Sequence, residues 1–69
     1  MTHALRVRRL CCGATLREVA DLAAVNAVRI HRWEKGKAQP TPEQRGKWVA
    51  AIRRLESLVA RRVAEAKES

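Results

Sequence analysis

The chain has 69 residues, and 15 Lys and Arg against 7 Asp and Glu give it a formal net charge of +8. This length suits one small domain, so we expect a single domain over residues 1-69. Arginine makes up most of the basic residues and is the side chain best suited to phosphate and guanine. The balance predicts a polyanionic partner, nucleic acid ahead of an acidic membrane surface, with a merely soluble basic protein as the alternative on charge alone.

Targeting and metal signals are missing from the sequence. No apolar run approaches the ~20 residues of a membrane span, and the N-terminus lacks a signal-peptide core. Cys11 and Cys12 are adjacent and without zinc-like spacing, which favours two reduced thiols that help to pack a helix in a cytoplasmic protein. A disulfide between copies is the alternative. We expect no metal, no cofactor and no membrane partner.

No stretch alternates apolar and polar residues cleanly, so the sequence predicts an all-α protein of about four helices. The first helix is expected over residues 3-12, with Thr2 as a cap and Gly13 as its end. Its apolar side is formed by Leu5, Leu10 and Cys12.

A second helix is expected over 16-23, because Thr15 and Glu18 have the spacing of a capping box. Asn26 is a good N-cap for a third helix over 27-35, which Gly36 can end in the left-handed conformation. The apolar side of the second helix is formed by Leu16, Val19, Ala20, Leu22 and Ala23.

A long fourth helix is expected over 42-67, with Thr41 as cap and Pro42 at its first position. Its first half can cover the other helices, whereas its second half extends beyond so small a body. We predict that it packs on its own copy in a homodimer, with a frayed exposed end as the alternative. The predicted dimer contacts are Ile52, Leu55, Val59 and Val63.

The stretch "TLREVADLAAVNAVRIHRWEKGKAQP" follows the pattern T-Q-x-E-L-A-x-x-x-G-V-S-x-x-x-I-x-x-W-E-x-G-x-x-x-P. On these residues the chain resembles, from Leu5 to about Pro42, the Cro/lambda-repressor-like helix-turn-helix domains of the XRE family. The resemblance implies a compact helix-turn-helix domain that binds specific double-stranded DNA. It also implies that Glu34 pairs with Arg9 as part of the scaffold. The matching positions are Ala20, Val25, Ile30, Trp33, Glu34, Gly36 and Pro40.

Two residues depart from the family pattern. Ala24 replaces the turn glycine, and alanine enters the left-handed region only at a cost of roughly 1–2 kcal/mol, so the turn is expected to be strained or differently shaped. Leu16 replaces a glutamine that commonly contacts the DNA backbone in the family. Its side chain cannot make that contact, although amides at a helix start can still face a phosphate.

The third helix presents its candidate DNA-reading side opposite Ile30 and Trp33, at about 100° per residue. The N-terminal part of a recognition helix enters the major groove, so Ala27 and Val28 are expected to pack on thymine methyl groups. Arg32 is the best candidate for a bidentate contact to guanine, with Arg29 beside it. The expected phosphate or flanking contacts are Arg17, His31, Lys35 and Lys37.

These features favour a transcriptional regulator, a repressor that binds a palindromic operator as a homodimer and blocks the promoter. It would be a phage Cro-like protein or a small autoregulator, associated with the nucleoid when bound to DNA. One alternative is an antitoxin or protein-interaction subunit that uses the fourth helix, and another is a DNA-architectural or recombination-directing factor. An enzyme is not expected, because no nucleophile–base pair, carboxylate dyad or phosphate loop is apparent. No small-molecule ligand is expected either.

Overall fold

Four α-helices form residues 3–68, which this computed structural model describes, with side chains described for residues 3–66. They are α1 (Ala4–Cys11), α2 (Leu16–Ala23), α3 (Ala27–Glu34) and α4 (Pro42–Glu68). The all-α class with a long C-terminal helix is therefore confirmed. The helix ends lie within one residue of the predicted bounds.

Local side-chain caps explain where the helices begin. The Thr15 hydroxyl accepts the Glu18 amide at 3.1 Å while the Glu18 carboxylate accepts the Thr15 amide at 3.4 Å, so the predicted capping box is confirmed. Asn26 accepts the Val28 amide at 2.8 Å, as expected of an N-cap. The predicted cap Thr2 lies outside the described residues, and the Nδ1 of His3 accepts the Leu5 amide at 3.0 Å.

The start of α4 carries a reciprocal cap of the same kind. Thr41 Oγ1 accepts the Gln44 amide at 3.2 Å, and Gln44 Oε1 accepts the Thr41 amide at 3.0 Å. The cap at Thr41 is thus confirmed, and it satisfies amides that would otherwise lack partners at the start of a helix.

The core lies where the first half of α4 packs against α1 and α2, and where α2 packs against α3. Trp33 and Trp48 stack at its centre, with ring centroids 5.4 Å apart and planes tilted by 44°. Full burial of large side chains at this junction supplies most of the apolar stabilisation. The largest fully buried side chains are Trp48, Ile30, Ile52 and Val19.

Two leucines that the sequence assigned to apolar sides lie instead at the surface, Leu10 with 51% and Leu22 with 48% of their area exposed. Leu10 is about 140° around α1 from the buried Leu5, at 100° per residue. On α2 the small residues Ala20 and Ala23 face the core, which turns Leu22 toward solvent. The prediction for these two leucines was therefore wrong.

The second half of α4 runs beyond the helical body. A helix of 27 residues is about 40 Å long at 1.5 Å per residue, and the molecule measures 44 × 23 × 18 Å. Leu58 and Val59 are half-buried, whereas Val63 is half-exposed. No helix within residues 3–68 is both long and apolar enough to cross a membrane.

The burial along α4 changes the set of residues that a second copy could contact. Ile52 is fully buried and Leu55 is 8% exposed within a single chain. Both belong to the chain's own core, so their prediction as dimer contacts is corrected. Of the four predicted contacts, only Val59 and Val63 retain accessible apolar surface.

Candidate nucleic-acid interface

A tight turn joins α2 to α3, and Ala24 adopts the left-handed conformation there, with φ 55° and ψ 40°. The amide of Val25 then bonds the carbonyl of Ala20 at 3.1 Å, which closes the end of α2. Because a Cβ in this region meets the backbone, the conformation costs roughly 1–2 kcal/mol. Of the two possibilities raised by the sequence, the turn is strained.

The inner side of α3 is held by the core and by a buried ion pair. Ile30 is fully buried, and Glu34 is 2% exposed. Arg9 donates to both Glu34 oxygens, from Nε at 2.8 Å and from Nη2 at 3.0 Å. Its Nη1 donates to the Ala14 carbonyl at 2.8 Å. The expected pairing of Arg9 with Glu34 is confirmed, and it fixes α3 against α1 and the α1–α2 turn.

The outer side of α3 presents the candidate base-reading residues. Val28 is 58% exposed, and Arg29 and Arg32 are also exposed. Within residues 3–66 neither arginine has a side-chain hydrogen bond or ion pair. Ala27 differs from the others, because it is half-buried and packs against the core, so only part of its methyl group is accessible.

The candidate phosphate contacts flank this surface. Arg17 is exposed in the first turn of α2, and His31 and Lys35 are exposed along and just after α3. Gly36 takes the expected left-handed conformation at φ 72°. The Lys37 amide consequently bonds the Arg32 carbonyl at 2.9 Å, which holds Lys37 close to the end of α3.

We call the exposed side chains of Arg17, Val28, Arg29, His31, Arg32, Lys35 and Lys37 the α3 basic surface. The single acidic residue of α3, Glu34, is buried and already paired. Glu18 of α2 is occupied by the capping box. Positive charge on this surface is therefore opposed by few carboxylates, which favours an anionic partner.

Leu16 is half-buried and packs against the core, so its side chain is not available to DNA. This placement agrees with the prediction that the family's glutamine contact is missing here. A contact to phosphate at the start of α2 can then come from its backbone amides or from Arg17.

The two cysteines are free. Cys11 is exposed, and Cys12 packs against the core, as the packing role predicts. Burial, followed by the nearby Glu56 carboxylate, raises the pKa of the Cys12 thiol. That thiol is therefore a weak nucleophile. Within the described part of the chain, no group of three or more His, Cys, Asp or Glu residues is arranged to hold a metal ion.

An ion pair between Arg8 and Glu56 was not foreseen from the sequence. The Nε of Arg8 donates to Glu56 at 3.0 Å, and a second bond joins Nη2 to the other oxygen. The residues lie 48 positions apart, so no local pattern could reveal the pair. It attaches α1 to the point where α4 leaves the core.

Comparisons of the chain with protein-family models, with curated proteins and with solved structures found no match. The functional interpretation therefore depends on the α3 basic surface and on the shape of the helices that carry it.

Proposed function

We propose that this protein is a sequence-specific double-stranded DNA-binding regulator that uses α2 and α3 as a helix-turn-helix, with α3 as the recognition helix. The observation that carries the proposal is the division of α3 into two sides. Its inner side is immobilised by Ile30, Trp33 and Glu34, while its outer side exposes Arg29 and Arg32 without internal partners. A rigid helix with free arginines is suited to the major groove.

The base contacts follow from the chemistry of the exposed side chains. Arg32 can bond both O6 and N7 of one guanine, which discriminates against other bases by about 1–3 kcal/mol. Val28, with 58% of its area exposed, can pack on a thymine methyl group. Ala27 makes a smaller contribution, because much of its surface is already used by the core. Lys35, Lys37 and Arg17 bind phosphates and set the docking position.

A homodimer completes the proposed regulator. The exposed Val63 and the half-buried Val59 continue the apolar side of α4 beyond the core. A second copy packed on this segment about a two-fold axis would cover the same residues in both chains. Two recognition helices would then address half-sites about 34 Å apart, one turn of DNA.

The regulator is proposed to act as a repressor, by steric exclusion of RNA polymerase from an operator that overlaps a promoter. Such a protein works in the cytoplasm at the nucleoid, where its operator lies. A protein-interaction subunit is the second candidate, since the apolar continuation of α4 could bind a different protein.

Selection of bound sites from random DNA tests the proposal. The expected result is a palindrome with half-sites about 10 base pairs apart, with a guanine for Arg32 and thymine near Val28. Arg32→Ala should lose preference for the selected guanine. Arg54→Ala is the matched control, because it removes an exposed arginine from α4 and should keep that preference. Recovery of no enriched sequence from the wild-type protein would exclude sequence-specific binding.

Sedimentation of the chain with and without the selected DNA tests the dimer. Val63→Glu should shift the protein toward monomer, since it places a charge on the proposed apolar contact. Ala64→Glu is the control, because it introduces the same charge one position away, about 100° around the helix. A wild-type chain that is monomeric at high concentration and on DNA would refute the dimer. It would favour the interaction subunit if DNA binding is also absent.

A further inference from the structure

A cavity of about 260 Å³ lies where the start of α1, the end of α3, the α3–α4 loop and the second turn of α4 meet. Its size is slightly below the usual range of about 300–1,000 Å³ for ligand pockets. A molecule with a single ring is therefore the appropriate size. The cavity is separate from the outer side of α3 and has no part in the proposed DNA contacts.

The apolar part of the cavity is aromatic. Trp33 and Pro40 contribute to the wall, and the ring of His3 lines the same space. Trp48 stacks behind the wall, with its ring centroid 4.8 Å from His3 and 5.4 Å from Trp33. Because these rings are fixed by the core, a flat ligand meets a preformed surface, and little entropy is lost in ordering it.

The polar part of the cavity consists of donors. Arg45 lines it, and within residues 3–66 its guanidinium has no ion pair or side-chain hydrogen bond. The nearby Glu43 carboxylate is instead 3.9 Å from the Lys47 ammonium. The Nδ1 of His3 accepts the Leu5 amide, so the neutral imidazole carries its proton on Nε2. Gln39 adds an amide.

We propose that this cavity binds a small planar aromatic carboxylate, with its ring against Trp33 and Pro40 and its carboxylate on Arg45. An unpaired guanidinium selects a carboxylate, because charge-assisted hydrogen bonds to a planar acid are bidentate. The aromatic wall selects a flat ring over an aliphatic chain. This inference reverses the expectation, from the sequence, that no small-molecule ligand binds.

Benzoate is a suitable probe, and the two tryptophans of the chain report on it directly. Titration of the full chain, followed by tryptophan fluorescence and by amide chemical shifts, should saturate with a Kd on the order of 1 mM for so small a ligand. Acetate lacks the ring and benzamide lacks the charge, so each should bind at least about tenfold more weakly.

Arg45→Gln should weaken benzoate binding at least about tenfold, the loss expected for one charge-assisted hydrogen bond. Arg53→Gln is the matched control, since it removes the same charge from an exposed position of α4 outside the cavity, and its Kd should be unchanged. Both residues are exposed, so both variants should fold, which thermal melting can verify.

Three results would overturn the proposal. A fluorescence response that stays linear well above the expected Kd would exclude a defined site. Equal weakening by Arg45→Gln and Arg53→Gln would indicate general attraction to a basic protein. Inorganic phosphate that competes as well as benzoate would assign the cavity to simple anions and not to aromatic acids.

Discussion

The buried pair of Arg9 and Glu34 allows a quantitative test of what holds α3 in place. Glu34 is 2% exposed and Arg9 is 8% exposed, and two bonds of 2.8 Å and 3.0 Å join them. Glu34→Ala removes both bonds and leaves a buried guanidinium with the Ala14 carbonyl as its hydrogen-bond acceptor. Breaking a buried pair in this way costs about 3–5 kcal/mol.

That cost is large for this protein. A chain of 69 residues is expected to have a free energy of unfolding of roughly 3–10 kcal/mol, at 0.05–0.15 kcal/mol per residue. With an m-value of about 1 kcal/mol/M in urea, the unfolding midpoint should fall by about 3 M or more. Urea titration at 25 °C, followed by tryptophan fluorescence and by far-ultraviolet circular dichroism, measures this shift.

A double-mutant cycle separates the pair from general damage to the core. The variant Arg9→Met with Glu34→Leu carries no unpaired buried charge, so its loss should be smaller than the sum of the single losses by about 2–3 kcal/mol. The surface pair of Arg8 and Glu56 is the matched control, and breaking it should shift the midpoint far less. Additive losses, or a Glu34→Ala cost below about 1 kcal/mol, would refute the reasoning.

Three further predictions concern the turn, the DNA contacts and the surface ion pair. Ala24→Gly should raise the free energy of unfolding by about 0.5–1 kcal/mol in the same urea assay, because glycine adopts a φ of 55° without strain; a loss of stability would mean that the turn is not strained. Lys37→Ala should weaken binding to all DNA sequences alike and reduce the salt slope by about one, whereas Lys47→Ala should leave the slope unchanged. The hydrogen bond from Arg8 holds the pKa of Glu56 below its ordinary value of 4.5, so its contribution is present above that value and is lost as the pH falls through the lowered pKa. The stability difference between wild type and Glu56→Gln should therefore disappear in strongly acid solution, and a difference that persists there would contradict the assignment.

The helix boundaries were predictable from the sequence because their causes are local. Thr15 with Glu18, and Thr41 with Gln44, are three positions apart and cap their helices by direct hydrogen bonds. The glycine stop at Gly36 is likewise a property of one residue's backbone. The outward position of Arg29 and Arg32 on α3 follows from helical periodicity once Ile30 and Trp33 are buried.

The tertiary structure alone decided the features that depend on distant parts of the chain. The pairing of Arg8 with Glu56 joins residues 48 positions apart, and the cavity beside Arg45 is assembled from four separate segments. Ile52 and Leu55 share one apolar stripe with Val63, and periodicity gives all three the same weight. Only the depth to which α1, α2 and α3 cover α4 determines that the stripe is core at Leu55 and half-exposed at Val63, because burial depends on the size of the body against which a helix packs.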